Sequence, residues 1–457
     1  MTKLDRDNYD KDGNLIELGS DALSTLRGFA ESKLKSGIVF SAGFNRRLYA
    51  YCEQFDDFFP DENGVVNKWV IMKVSDYRSS VIQGRFLAKK GIWISEHRIE
   101  SGLNCGGHAF ASDGYLIGPI LEEFKESLDG LNEDLLKTCN ASLAKKDRIQ
   151  YASTPTTRLT MQGGIGTHSE QTFLTDFYGV DGTGWGTPFL LVPEVTVVDD
   201  ESRELLRGAQ EKDLYTSEVS PLGVPFNSVR GTTSDAQKME RFENGRPGSP
   251  CPKGHLVSNW EFTKKPVCTA SRFYQKRKIE QIEALDLPES EQKTMVEAVI
   301  TKVCLCEDLA ASVLLTTNQE NKRPLKTTVC PGPNLAYFSK FVSLQEMVGH
   351  IYGQTNLLND NYRPNFMIKE LKMYIEHFEK EIKKVLPEPT VKQIDYLNLY
   401  KTNLNDGMAY YQNLIPTIIQ ESDEVKETMI RDLTQFQDQL TSILKANADI
   451  FLNLATA

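Results

Sequence analysis

Three glycine-flanked segments and one cluster of cysteines carry the residues of this chain best suited to chemistry. The first segment is Asn104-Cys105-Gly106-Gly107-His108. Histidine transfers protons near neutral pH, and two glycines before it leave room for a ligand beside the backbone. Its bland reading is a histidine satisfied by loop carbonyls. Cys105 is a weaker candidate nucleophile, with no second histidine nearby in sequence. The second segment is Gln162-Gly163-Gly164-Ile165-Gly166-Thr167, at the end of an expected strand and just before an expected helix. Glycine there lets backbone approach a ligand, and N–H groups at a helix start point at an anion. The third is Gly182-Thr183-Gly184-Trp185-Gly186-Thr187-Pro188-Phe189-Leu190. Two glycine-rich strand ends in successive βα units are what a phosphate clamp requires. Either alone is equally a tight turn with no ligand.

The cysteines form a separate set. Five of the eight, Cys251, Cys268, Cys304, Cys306 and Cys330, fall in a stretch rich in glycine and proline. Thiolates from such loops can converge on an iron–sulfur cluster or on zinc. A 4Fe–4S cluster is the preferred expectation, zinc the alternative, and His255 a further possible ligand. The bland reading is scattered small hydrophobes, since cysteine is often buried. Lys73 and Ser75 close another expected strand and are candidate ligand contacts, against an ordinary solvated strand end.

The elements that must position these groups follow from periodicity. Strands are expected at 37–42, 69–74, 92–96, 158–162 and 186–191. Helices at 81–90, 116–128 and 169–177 lie between them. That alternation predicts an α/β fold with a parallel sheet, either a barrel or an open doubly wound sheet. Residues 201–355 read as loops with helices at 275–286 and 290–302. Residues 365–455 read as helix throughout, interrupted near Pro387 and Pro389. The division is therefore 1–200, 201–355 and 356–457.

Taken together, GGH, GGIGT and GxGWGTPFL, each at an expected strand end, resemble the FMN-dependent nitronate monooxygenase and enoyl reductase TIM-barrel family. The resemblance covers residues of about 35–200, and the GGIGT form looks most like the enoyl reductase of polyunsaturated fatty acid synthases. It implies a TIM-barrel-like β/α domain and an FMN-dependent oxidoreductase acting on an acyl or small organic substrate. It implies His108 as acid/base and an FMN phosphate on the backbone at Gly163, Gly164, Gly186 and Thr187; Gly106, Gly107 and Lys73 are further candidate cofactor contacts. The family's first three βα units have no counterpart here, since GIVFSAG already looks like the fourth strand. Arg46, Arg47, Arg78 and Arg98 stand near strand ends, where the family has alanine. Either a second polypeptide or oligomer completes the barrel, or the chain has lost flavin binding. A non-redox barrel acting on a phosphorylated metabolite, and a non-catalytic assembly subunit, are the alternatives.

Composition narrows the partners. Hydrophobic residues make up 40% and charged residues 25% of the 457, as in an ordinary globular protein. The net charge is -11, from 52 basic and 63 acidic residues, which argues against nucleic acid as the main partner. No membrane-spanning apolar run and no secretory signal are expected, so the expected location is cytoplasmic.

Overall fold

In the computed structural model, residues 5–41, 43–104, 107, 113–251, 253–319, 324–386 and 388–452 are described. The chain opens with α1 (Asp21–Ala30), β1 (Ser36–Phe40), α2 (Arg46–Tyr51), β2 (Lys68–Val74), α3 (Tyr77–Ala88) and β3 (Ile94–Glu100). It continues through α4 (Ile117–Ala144), β4 (Arg158–Gln162), α5 (His168–Tyr178) and β5 (Gly182–Gly184). These five strands form one parallel sheet in the unbroken order β1-β2-β3-β4-β5. The fold is thus α/β, as expected, with each strand beside the one that precedes it in the chain.

The two faces of this sheet differ. Phe40, Met72, His97 and Leu159 lie in register on one face and all are buried. Helices cover this face: Gly84 of α3 sits against Ile94, and the His97 ring lies between Ser80 of α3 and Phe124 of α4. Burial pushes the His97 imidazole down to about 4, so it is neutral. On the other face stand Ile71, Lys73, Arg98 and Gln162, all half-buried, and the exposed Arg158. Glu96 and Thr160 share this face and are buried. A cavity of about 240 Å³ lies there, lined by Glu96, Arg98, Arg158, Thr160 and Gln162.

Residues 201–355 hold a hairpin and four helices beyond the two expected there, and within residues 1–200 the elements depart from the expectations in three places. Gly186–Leu191 is not a strand; Thr187–Leu191 is a 3-10 turn, and the fifth strand is the shorter Gly182–Gly184. Pro188 cannot donate to a ladder, and its fixed φ suits the start of a helical turn. The third strand begins later and runs to Glu100, because Ile92 N still bonds Leu87 O and closes α3. The helix expected to stop at 128 runs on to Ala144. Leu131, Leu135, Cys139 and Leu143 continue its buried stripe at four-residue spacing.

Beyond the sheet come α6 (Asp200–Gly208), the antiparallel hairpin β6 (Leu214–Ser217) and β7 (Phe226–Val229), and α7 (Thr233–Glu243). Then follow α8 (Arg272–Glu283), α9 (Glu289–Ile300), α10 (Leu305–Thr316) and α11 (Leu344–Ile351). The last stretch is helical, as expected: α12 (Phe366–Val385), α13 (Val391–Leu414), α14 (Asp423–Ala446) and α15 (Ala448–Leu452). These helices share one hydrophobic core with the sheet. Phe366, Leu371, Tyr374, Tyr400 and Tyr411 belong to the same cluster as Met72, Ile99 and Met161. Among the described residues no helix is long and apolar enough to cross a membrane.

Candidate ligand site at the C-terminal edge of the sheet

The strands of a parallel sheet end together, so their last residues and following loops meet along one edge. Here that edge gathers Lys73 from β2, Glu100 and Asn104 from β3 and its turn, and Gln162 from β4. Glu100 Oε1 is the hub. It accepts Lys73 Nζ at 2.9 Å, Gln162 Nε2 at 3.2 Å and Asn104 Nδ2. Gln162 Nε2 also reaches Asn104 Oδ1 at 3.4 Å. One layer below, Glu96 accepts Arg98 Nε at 2.8 Å and Thr160 Oγ1 at 2.6 Å. The edge cluster itself presents one cation, Lys73, one carboxylate, Glu100, and two carboxamides, Asn104 and Gln162. Carboxamides carry both donor and acceptor, so the set complements a planar ligand edge with alternating C=O and N–H.

The glycine loop behind this edge is shaped by the chain itself. Gly163 has φ of +100°, and a Cβ there would lie 2.9 Å from the Asn104 backbone. Gly164 has φ of +84°, and its Cβ would lie 2.7 Å from Leu103. Gly166 is crowded in the same way by the Arg363 guanidinium. The start of α5 already holds negative charge. Thr167 caps it, and Glu170 Oε2 accepts Gly166 N at 2.8 Å. Arg363 clamps Glu170 through two bonds of 2.8 Å, with both side chains almost wholly buried. Gly186 is exposed at the start of the 3-10 turn and Thr187 is buried within it.

Gly107 is tied to the β6–β7 hairpin. Its carbonyl accepts Asn227 N at 2.7 Å, and a Cβ would lie 2.6 Å from the Phe226 ring. Cys105, Gly106 and His108 lie outside the described residues. Ser75 donates to Asp76, the cap of α3, and Arg47 pairs with Asp7 at 2.6 Å, away from the edge.

Two buried charges brace the edge from the other side, and neither was anticipated. Glu370 accepts Ser101 Oγ at 2.6 Å, Gly102 N at 3.2 Å and Ile117 N at 2.7 Å. It joins the turn after β3 to the start of α4. Burial pushes its carboxyl up to about 7 against the pull of those donors. Lys369 donates to Tyr337 Oη at 2.7 Å and Pro333 O at 3.1 Å. Burial pushes its ammonium down to about 7. Beside them a groove with two cavities, about 190 and 160 Å³, runs between β6 and α12, past Tyr215, Thr216, Met373 and Glu376.

The cysteines stand apart from this edge. Cys268 and Cys304 are buried, and Cys251, Cys306 and Cys330 are half-buried. Among the described residues no group of three or more His, Cys, Asp or Glu side chains could hold a metal ion. Comparison of the chain with protein-family models and with curated protein sequences gives no match.

Proposed function

We propose that this chain is part of an FMN-dependent oxidoreductase of the TIM-barrel type, of the enoyl-reductase or nitronate-monooxygenase class, acting on an acyl or small organic substrate. One observation carries the reading. Five parallel strands stand in sequential order, and the face that carries a polar cavity ends in the Lys73–Glu100–Asn104–Gln162 cluster. A barrel is a parallel sheet whose inner face is closed by further strands, and its ligands lie at the C-terminal mouth. In this reading those strands belong to a second polypeptide or oligomer, and the face with the polar cavity is the inner wall.

The residues present fit the polar edge of a flavin ring. FMN, when bound, supplies the hydride chemistry. Asn104 and Gln162 bind the ring edge through their carboxamides. Lys73 supplies the positive charge that balances an electron-rich ring, and Glu100 holds Lys73 in place. His108 keeps the acid/base role that the resemblance assigns it. The phosphate end would use the backbone around Gly163, Gly164, Gly186 and Thr187.

One observation favours the assembly-subunit reading as the second. The start of α5, where a phosphate would be held, already carries the Thr167 cap and the Glu170 carboxylate. Purification from the native host decides between the two. The first reading expects a yellow complex with paired flavin bands and a second chain in stoichiometric amount by mass spectrometry. A colourless complex that still contains the second chain overturns it in favour of the assembly role. A fully active single chain overturns the completed barrel.

A further inference from the structure

Lys369 lies in the first turn of α12, and only 5% of it is exposed. A lysine so buried ordinarily pairs with a carboxylate. The carboxylates around it are taken: Glu170 pairs with Arg363, and Glu211 with Lys372 at 3.2 Å. Lys369 Nζ donates instead to Pro333 O at 3.1 Å and to Tyr337 Oη at 2.7 Å. The Tyr337 ring forms a wall beside it, with its centroid 4.1 Å from Nζ. Two oxygen acceptors are what the two protons of a free amine fill, one short of an ammonium.

The position opposes a charge as well. The start of a helix carries the positive end of its dipole. Burial first, and then the cations Arg363 and Lys372, push the ammonium down to about 7. A free amine is a nucleophile, and an ammonium is not.

Lys369 lines the larger cavity of the groove beside α12, about 190 Å³. Leu214 and Met373 give this cavity an apolar side, and Glu211, Lys372 and Glu376 its other charges. With Lys369 neutral, two carboxylates stand against one ammonium, an excess of one negative charge. Such a cavity disfavours an anion and accepts a small uncharged molecule.

We infer that Lys369 is an imine-forming lysine and that the cavity it lines takes a small neutral aldehyde. The inference stands apart from the flavin reading and uses none of its residues. The amine nitrogen attacks the carbonyl carbon, a C–N bond forms, and the carbonyl oxygen becomes a hydroxyl. That hydroxyl leaves as water and a C=N bond remains. Both amine protons end on the departing oxygen, so one aldehyde is consumed, one water is released, and no oxidant or reductant is needed. Tyr337 Oη touches the reacting nitrogen and is the group placed to pass these protons. Burial and the Glu211 carboxylate hold the phenol's own proton on well above its ordinary range, so it is a donor at neutral pH.

The full chain is treated at pH 7 with dilute propanal and sodium cyanoborohydride, which fixes imines as stable amines. Peptide mapping is expected to place the propyl group on Lys369 at least about tenfold ahead of any other lysine, because an ordinary lysine is almost wholly protonated at pH 7. Glyoxylate, an aldehyde that carries a carboxylate, should label Lys369 at least about tenfold more slowly than propanal does, relative to the surface lysines. Lys369→Arg loses the early lysine adduct, and Tyr337→Phe forms it more slowly. Should these variants misfold, the mapping of the wild-type chain still decides. Surface lysines that label while Lys369 stays unmodified, or a Lys369 that labels no faster than they do, overturn the proposal. Preferential labelling of Lys369 by glyoxylate overturns the assignment of a neutral aldehyde.

Discussion

The sheet with its C-terminal helices, and the segment 201–355, are held together by different means. The first shares one hydrophobic core that runs in sequence from Ala22 to Ile450. Its buried charges sit inside that core, each with partners from a distant element. The second has only small apolar clusters, one around Leu206 and Tyr337 and one around Phe226 and Leu305. It relies on short polar ties such as Ser202 to Thr327, Ser217 to Ser228 and Ser234 to Asp308. A region with a large core resists loss of any one tie, but not an unpaired charge within the core. A region without one depends on cross-links. The two should therefore fail under different perturbations.

The largest expected effect is on the first region. Arg363→Met leaves Glu170 buried without its partner, which costs about 3–5 kcal/mol. Calorimetry should show the main transition lowered, while the emission of Trp260, exposed in the second region, stays as in wild type. Loss of both signals together would break the comparison. Next comes a pH effect. Glu370 titrates at about 7 when folded against an ordinary 4.5, so the native state holds its proton more tightly. Stability is then greatest below 4.5 and falls by about 3 kcal/mol as pH rises to 7. Lys369 has the opposite sign. Its folded value of about 7 lies below 10.5, so its contribution rises with pH above 7 and is lost on the way down to it. Urea unfolding at pH 5, 7 and 9 should show the weakest main transition near 7, and Glu370→Gln should remove the acid-side slope. Gly163→Ala follows, at about 1–3 kcal/mol, because the strain and the contact with Asn104 fall on backbone that cannot turn aside. An unchanged urea midpoint would mean that the loop yields. Smallest in stability is Lys73→Met, under about 1 kcal/mol for a partly exposed pair. On the proposed flavin reading its effect should appear instead as at least a tenfold weaker FMN affinity by fluorescence titration.

Much of the sheet was legible. Apolar runs separated by amphipathic stretches marked four of the five strands and most helices. The fifth strand was misplaced because Gly182-Thr183-Gly184 has almost no side chains to show a period, while TPFLL has the apolar content of a strand without the backbone donors. Lys73 and Gln162 were visible as residues closing strands. Glu100 and Asn104 were not singled out, although Glu96, Arg98 and Glu100 alternate along a strand whose neighbours are apolar. That period-two charge pattern on an interior strand was the available signal. The pair of Glu170 with Arg363 was out of reach, since 193 positions separate them and nothing local marks either. Gly163 and Gly164 were read as room for a ligand. Locally, an approach by phosphate and an approach by the chain's own Asn104 and Leu103 demand the same residue.

Glu370 has a consequence for how the molecule is made. The residues it joins, Ser101, Gly102 and Ile117, precede it by 269, 268 and 253 positions. Arg363 reaches back 199 and 193 positions, to Gly164 and Glu170. On the ribosome the strands emerge long before these partners exist, and contacts of such high sequence separation form late. The strands can pair early, but the loops at their C-terminal edge stay unbraced until α12 has been translated. The mouth of the sheet is thus the last part to be assembled, and nascent chains lacking α12 would have strands but no site.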